Sequence, residues 1–440
     1  MDNSALNISP LDGRYHDVVD PLRENFSEYG YMKQRFVLEL EYLEFFLKVV
    51  KDEIITFDKT FSIQSYYDVK KIEAQTNHDV KAIEYYIQTR IEAKYHNFIH
   101  FGLTSHDIDN VSLLLNIKHV NETVMNRYLC GMVDKIKEYA ESWKHIAMLS
   151  HTHGQPATPT TVGKELNVFA YRLRKQICEL QQIEYYAKFG GAVGNLNAHK
   201  SALPNFEWPE LMKSFMTNLG LVRDEYTTQL SNYDDLSKML GIYQRINTIL
   251  IDMCQDIWLY IGMNYFKLNV ITSEIGSSTM PHKINPIQFE NAEGNLGMAN
   301  CLIQHMQTKL PVSRLQRDLT DSTVSRNIGT IYGHMYQSYC SIMKGLNRIT
   351  PDETVIMEDL NKNYVVIAEA IQTHLKLLPN MTNSYEKLKD FCRGSYNLTK
   401  NDFDTFIDSL DCDSETKDQL KSITPSNYIG YAMKTTNQNL

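Results

Sequence analysis

No proline lies between Pro21 and Pro156, and none between Pro209 and Pro281. Proline removes an amide donor and clashes with the preceding turn, so intervals this long without it are where long helices can run. The apolar pattern fills them. From Val120 onward, Val124, Tyr128, Met132, Ile136, Tyr139, Trp143 and Ile146 recur at steps of three or four, which is one face of a helix. Leu166, Phe169, Leu173, Ile177, Leu180 and Ile183 repeat the pattern, as do Leu236, Leu240, Tyr243, Ile246, Leu250, Met253, Ile257 and Tyr260. Period-two alternation bounded by turn residues is hard to find, so the expected fold class is all-α, built on a bundle of long helices.

At 440 residues the chain is longer than the ~250–300 at which a single core stops growing, so more than one packed unit is expected. The pattern suggests an N-terminal helical domain over 1–109, a central helical bundle over 110–348 that includes a loop at 273–290, and a C-terminal helical domain over 349–440. Segments 150–164, 190–204 and 273–286 are rich in Gly, Ser, Thr, His and Asn and read as loops. Lys plus Arg number 44 against 53 for Asp plus Glu, a net charge of -9, which argues against a general nucleic-acid surface. No stretch approaches the ~18 consecutive apolar residues of a membrane span. The start lacks the basic and then apolar character of a secretory signal. Seven scattered cysteines without a Cys-x-x-Cys pair complete the expectation of a reduced, cytoplasmic protein without structural zinc.

Four kinds of segment carry chemistry. Gly276-Ser277-Ser278 is followed by Lys283, which stands between Pro281 and Pro286. Successive amides of such a turn can form an anion-binding nest, although an ordinary linker accounts for the composition equally well. Ser150-His151-Thr152-His153-Gly154 places two histidines before a proline-punctuated turn. Histidine titrates nearest neutrality and suits proton transfer, but either one alone reads as readily as a solvated side chain. In Thr76-Asn77-His78-Asp79 and Thr104-Ser105-His106-Asp107, each aspartate is explained simply by capping or charging a helix start. Arg317 and Arg326 are nine positions apart, on opposite faces of any single straight helix, so both can reach one ligand only if the segment bends or a subunit boundary intervenes. The inventory of histidines, hydroxyls, amides and cations, without metal-ligand spacing or a nucleotide-cradling glycine loop, points to cofactor-free proton transfer on a polyanionic small molecule.

The loop Gly276-Ser277-Ser278-Thr279-Met280-Pro281-His282-Lys283-Ile284-Asn285-Pro286 resembles the signature of the fumarase/aspartase superfamily. His282, together with Thr152-His153-Gly154-Gln155-Pro156-Ala157, is similar to its adenylosuccinate branch. Further matches at Asp12-Gly13-Arg14-Tyr15, Gly190 to Asn197, Thr227-Thr228-Gln229 and Arg314 to Arg326 spread the resemblance over essentially the whole chain. It implies β-elimination of fumarate from adenylosuccinate, giving AMP, and from the succinyl-carboxamide ribotide of purine synthesis. A related succinyl-compound lyase, such as one acting on argininosuccinate, and a non-catalytic nucleotide-binding scaffold are the alternatives. The resemblance also implies that Ser277 is the base and His153 the acid, with no metal or cofactor. Arg14, Tyr15, Ser322 and Arg326 would surround phosphate and ribose, with His78, Asn77 and Asp79 beside the phosphate or partnering the acid. Thr104, Ser105, Gln229, Ser278, Lys283 and Asn285 would hold the succinyl carboxylates, and Asn291 and Arg317 would complete the pocket. It further implies a homotetramer whose sites are shared between chains, which would be one answer to the Arg317/Arg326 geometry.

Overall fold

The computed structural model describes residues 6–269, 280, 283–378, 382–394 and 398–435. Its contacts divide the chain into two compact units. The first holds Met1–Leu129, Gln176–Thr248 and Ala292–Cys340, and the second Cys130–Lys175, Ile249–Asn291 and Ser341–Leu440. Helices dominate, and among the described residues strands form only two-stranded pairs, so the all-α expectation holds. Among those residues no helix is long and apolar enough to cross a membrane.

The helix Glu28–Lys51 organises the start of the first unit. It is apolar on two sides because it is packed on two sides. Phe36, Leu40, Leu43 and Leu47 meet Val69, Ile83 and Ile87, whereas Leu38, Tyr42 and Phe46 meet Ile108, Val111, Trp208 and Phe215. Two of the anticipated helical faces are borne out. Along Asp234–Gly262, Leu236, Leu240, Tyr243, Ile246, Leu250, Met253 and Ile257 are all buried and Tyr260 is half-buried; along Val162–Gln181, Leu166, Phe169, Leu173, Ile177 and Leu180 are buried, whereas Ile183, expected on the same face, falls past the helix end.

The pattern that starts at Val120 needs correction. The helix Ser105–Val120 passes into a π-helical turn at Asn121–Met125 and then into Asn126–Ser142. A π turn takes up an extra residue and rotates the face that follows. Met125 and Leu129 are therefore buried at 0% and 1% exposure, and Val124 and Tyr128 are only half-buried. Asn121 opens the turn and is enclosed: Tyr243 and Tyr332 donate to its Oδ1 at 2.6 and 2.8 Å, and its Nδ2 donates to the Tyr185 hydroxyl at 3.0 Å.

In the second unit, the stretch expected to be a loop at 150–164 begins inside a hairpin, Ala147–Thr152 paired antiparallel with Gln155–Thr161. Its inner end packs Ala147 and Leu149 against Leu360 and Val366. The second strand carries Pro156 and Pro159 and little apolar surface, so alternation could not signal it; pairing with a buried first strand forms it. Likewise the 190–204 segment is a loop only as far as Leu196, after which Asn197–Ala202 is a short helix. Half of the 273–290 loop lies outside the described residues, and its last four positions are not loop but the start of the helix Ile287–Lys309. A separate core of Tyr364, Ile367, Ile371, Phe403, Ile407 and Leu420 gathers the C-terminal helices.

One buried pair in the first unit makes stability depend on pH. His100 Nδ1 lies 2.6 Å from Glu39 Oε1, and Glu39 is fully enclosed. Burial alone would lower the histidine pKa, but the Glu39 carboxylate outweighs it and raises the value to about 9. Because the folded value lies above the unfolded one of about 6.5, the stabilisation is complete below about pH 6.5 and is lost as pH rises through about 9. Urea unfolding of wild type and His100→Gln should show a stability difference that shrinks steadily across this window. A difference independent of pH would contradict the ionised pair.

Candidate active site

The first unit places several of the anticipated site residues through helix ends. Thr104 is the N-cap of Ser105–Val120, and its amide donates to Asp107 Oδ2 at 2.8 Å, closing a capping box. Asp107 does more than cap. It is fully buried, accepts from the Gly190 amide at 2.8 Å and the Gly191 amide at 3.1 Å, and faces Lys188 Nζ at 2.7 Å. Lys188 is itself fully enclosed, and burial holds its pKa down against the pull of Asp107. Asn110 fixes the lysine backbone by donating to its carbonyl at 2.9 Å and accepting from its amide at 3.0 Å. The Gly190-to-Asn197 segment then runs against Thr227. At Gly194, with φ +84°, an added Cβ would lie 2.3 Å from the Thr227 carbonyl oxygen, so only glycine fits. Close by in sequence, Gln229 Nε2 donates to Thr104 Oγ1 at 3.4 Å.

A cavity of about 280 Å³ lies in the same unit, lined by Arg35, Asp79, Arg317, Ser322 and Arg326 among others. Asn77, in the left-handed conformation, ends the helix Ile63–Thr76. His78 Nδ1 accepts from the Lys81 amide and caps the next helix, and Asp79 opens it. This tight turn aims Asp79 at two guanidinium groups, Arg35 at 3.1 Å and Arg326 at 3.2 Å. Burial would raise the Asp79 pKa, but Arg35, the Val80 amide and Arg326 bring it below the usual range. Asp109 stands 2.8 Å from the other side of Arg35, yet its pKa is raised, because burial together with neighbouring Asp79 outweighs the arginines.

On the inner wall, His106 Nε2 accepts from the Ser231 amide at 3.0 Å, which leaves the proton on Nδ1, 3.7 Å from Asp321. Burial, with Lys188 and Arg317 nearby, pushes the His106 pKa well below the ordinary histidine value, so the ring is neutral. The Tyr233 hydroxyl donates to Asp321 Oδ2 at 3.3 Å.

Arg317 and Arg326 both line this cavity in one chain. No shared subunit boundary is needed to bring them together, contrary to that expectation. Arg317 precedes the short helix Thr320–Ser325 and Arg326 caps its end, so the segment bends between them. Arg14 and Tyr15 lie in the turns before the helix Asp20–Phe26, with Arg14 exposed, and neither lines the cavity; nor do Thr104, Ser105 and Gln229. Sequence reasoning missed Arg35, Asp109, Tyr233 and Asp321. A signal for Arg35 existed: it falls between Met32 and Phe36, both buried, where a charge requires a partner.

The second unit holds the remaining described candidates. His153 (φ 55°) and Gly154 (φ 72°) form the two-residue turn of the hairpin, between the paired residues Thr152 and Gln155. Positive φ at both positions is the turn that matches strand twist, and it presents the His153 ring to solvent. Lys283 is exposed, and its amide donates to the Met280 carbonyl at 3.0 Å. Asn291 Oδ1 accepts from Ser341 at 3.0 Å, and Asn285 lies half-buried before the helix Ile287–Lys309. Ser277 and Ser278 lie outside the described residues. Among the described residues, no group of three or more His, Cys, Asp or Glu is placed to hold a metal ion.

Comparison with known proteins matches residues 13–300 to a lyase family model and residues 313–429 to the adenylosuccinate lyase C-terminal model. The chain is 46% identical to the adenylosuccinate lyase of Dictyostelium discoideum, covering 97% of each protein. It is 43% identical to that of Escherichia coli K12, covering 98% of each. Among solved structures, it is similar to a fumarate lyase from Mesorhizobium sp. BNC1 (TM-score 0.78, 16% identity, 95% of this chain and 96% of that one). It is also similar to the 3-carboxy-cis,cis-muconate lactonizing enzyme of Pseudomonas putida (TM-score 0.74, 18% identity, 94% and 95%). At such identities the structural likeness speaks for the fold alone, whereas the near-full-length sequence identity goes further: the chain belongs to the adenylosuccinate lyase family.

Proposed function

We propose that this protein is a carbon-nitrogen lyase of purine biosynthesis that eliminates fumarate from adenylosuccinate, giving AMP, and from the succinyl-carboxamide ribotide, giving the free carboxamide. The observation that carries this reading is identity above 40% over nearly the whole chain to proteins named for that activity, joined to the match of residues 313–429.

The residues suit the chemistry. One group must remove a proton from the succinyl carbon, another must protonate the nitrogen as its bond to the other succinyl carbon breaks, and fixed donors must stabilise charge on the adjacent carboxylate. In our reading Ser277 is the base and His153 the acid. A serine hydroxyl is a poor base unless its alkoxide is stabilised, a task for Lys283 and the loop amides. Thr104, Ser105, Gln229, Ser278 and Asn285 hold the carboxylates, with Asn291 and Arg317 completing the pocket. Arg14, Tyr15, Ser322 and Arg326 hold phosphate and ribose, flanked by Asn77, His78 and Asp79. No metal or cofactor enters the scheme.

We further propose a homotetramer in which the long helices of 110–348 form a common bundle and each site draws on several chains. Apolar side chains on these helices support it: Trp258, Leu259 and Met298 are 46%, 52% and 54% exposed. Such surface on otherwise well-packed helices is what an oligomer covers.

Purified protein given adenylosuccinate should release AMP and fumarate in equal amounts, and absence of either product would refute the activity. Ser277→Ala and His153→Ala should each lower turnover by ~10²–10⁴ with little change in affinity, because each acts on the transition state. Near-normal turnover in Ser277→Ala would transfer the base role to another residue.

If sites are shared, the two inactive variants should regain part of the lost activity when unfolded together and refolded. A monomeric mass by light scattering together with no recovery would rule out shared sites.

A further inference from the structure

The hairpin that carries His153 in the second unit is not regular. Met148 pairs with Thr160 and Ser150 with Ala157, so between these pairs one residue of the first strand, Leu149, faces two of the second, Thr158 and Pro159. Such a bulge bends its strand and raises the local twist, and so sets the direction in which the rest of the hairpin leaves. Inward of the bulge the strands are held by the core of Ala147, Leu149, Leu360 and Val366. Outward of it His151, Thr152, Gln155 and Pro156 are exposed, and two strands by themselves have little stability in water. The aim of the His153 turn is therefore decided at the bulge.

That bulge is pinned by the C-terminal part of the chain. Thr158 Oγ1 donates to Glu369 Oε2 at 2.5 Å, and the Tyr428 hydroxyl donates to the same oxygen at 3.0 Å. Glu369 stands in the first turn of the helix Ala368–Leu375, which is rooted through Ile371 and Leu375, both fully buried. Ile429, next to Tyr428, packs against the same core as Leu149. Hydrogen bonds to an ionised carboxylate are stronger than neutral ones, so two of them on one oxygen tie the extra residue of the bulge to a rigid base. Leverage makes this tie matter. From Leu149 to His153 the first strand and turn span about 13 Å at ~3.3 Å per residue, so a tilt of about 5° at the bulge moves His153 by about 1 Å. A displacement of about that size can cost ~10²-fold in rate.

Resting on the reading of His153 as the acid, we propose that Glu369, seconded by Tyr428, is a positioning residue for His153. By holding the bulge residue Thr158, it fixes the direction of the hairpin and with it the place of the imidazole. Glu369 touches no substrate and acts through the hairpin alone.

The test measures kcat and KM for adenylosuccinate in wild type, Glu369→Ala, Glu369→Gln, Thr158→Val and His153→Ala, the last with and without Glu369→Ala. Glu369→Ala and Thr158→Val should each lower kcat by about 10- to 10²-fold and leave KM within about twofold, since ground-state binding does not use the acid. Glu369→Gln keeps an oxygen for both hydroxyls and should stay within about threefold of wild type. Added to His153→Ala, Glu369→Ala should cost less than about twofold more, because the group it aims is gone. A kcat within about twofold of wild type in both Glu369→Ala and Thr158→Val overturns the proposal. So does a full multiplicative loss in the double variant, which is the mark of a general loosening of the fold. Hydrogen exchange supplies a readout that needs no turnover: amides of 150–157 should exchange at least about tenfold faster in Glu369→Ala than in wild type, with those of Val162–Gln181 unchanged. Equal exchange at 150–157 refutes the brace. If adenylosuccinate gives no fumarate, the lyase reading has failed, and if His153→Ala turns over normally, the acid assignment has; in either case the exchange result alone decides whether Glu369 holds the hairpin.

Discussion

The buried carboxylate of Asp107 is the constraint on which the geometry of the first unit depends. A charge with no exposure must be met by donors, and here they come from two places in the chain: the Thr104 amide, and a stretch that supplies both Lys188 and the Gly190 and Gly191 amides. The N-terminus of one helix and a glycine-rich segment some eighty positions later are thereby fixed to a single point. Removing one partner of such a pair costs about 3–5 kcal/mol, since the other charge stays enclosed. The glycine segment can come this close because Gly194 has no side chain to strike Thr227. Thr104, Gln229 and the glycines thus share one frame.

Arg35 plays the corresponding part at the cavity. Its guanidinium lies between Asp79 and Asp109, and the two carboxyls respond in opposite directions. Asp79 gains a backbone amide and a second arginine, so its charged form is favoured, whereas Asp109 gains burial and a like-charged neighbour, so its charged form is disfavoured. The neutral His106 behind them adds no further cation to the wall. A ligand entering this space therefore meets graded polarity rather than a uniformly cationic cleft, even though three arginines line it.

Much of this was legible in the sequence where the signal was local or periodic. The buried faces of Val162–Gln181 and Asp234–Gly262 follow from three-four spacing, because a helix repeats its environment every turn. The clusters ending in Asp79 and Asp107 were correctly suspected of capping helices, and both also hold buried cations. The π turn at Asn121 escaped, since one extra residue moves the face without changing the composition. The hairpin that carries His153 escaped because two prolines and a run of polar residues conceal a strand made by pairing with its neighbour.

The sequence by itself determined the helical class, the long bundle helices and the residues offered for chemistry, because periodicity, proline spacing and motif identity are properties of neighbours along the chain. Only the tertiary structure decided that Arg317 and Arg326 reach one cavity within a single chain and that Arg35 divides itself between two aspartates. These facts depend on which distant segments enclose a charge together: the order of residues can mark a charge such as Arg35 as needing a partner, but not which distant residue supplies it.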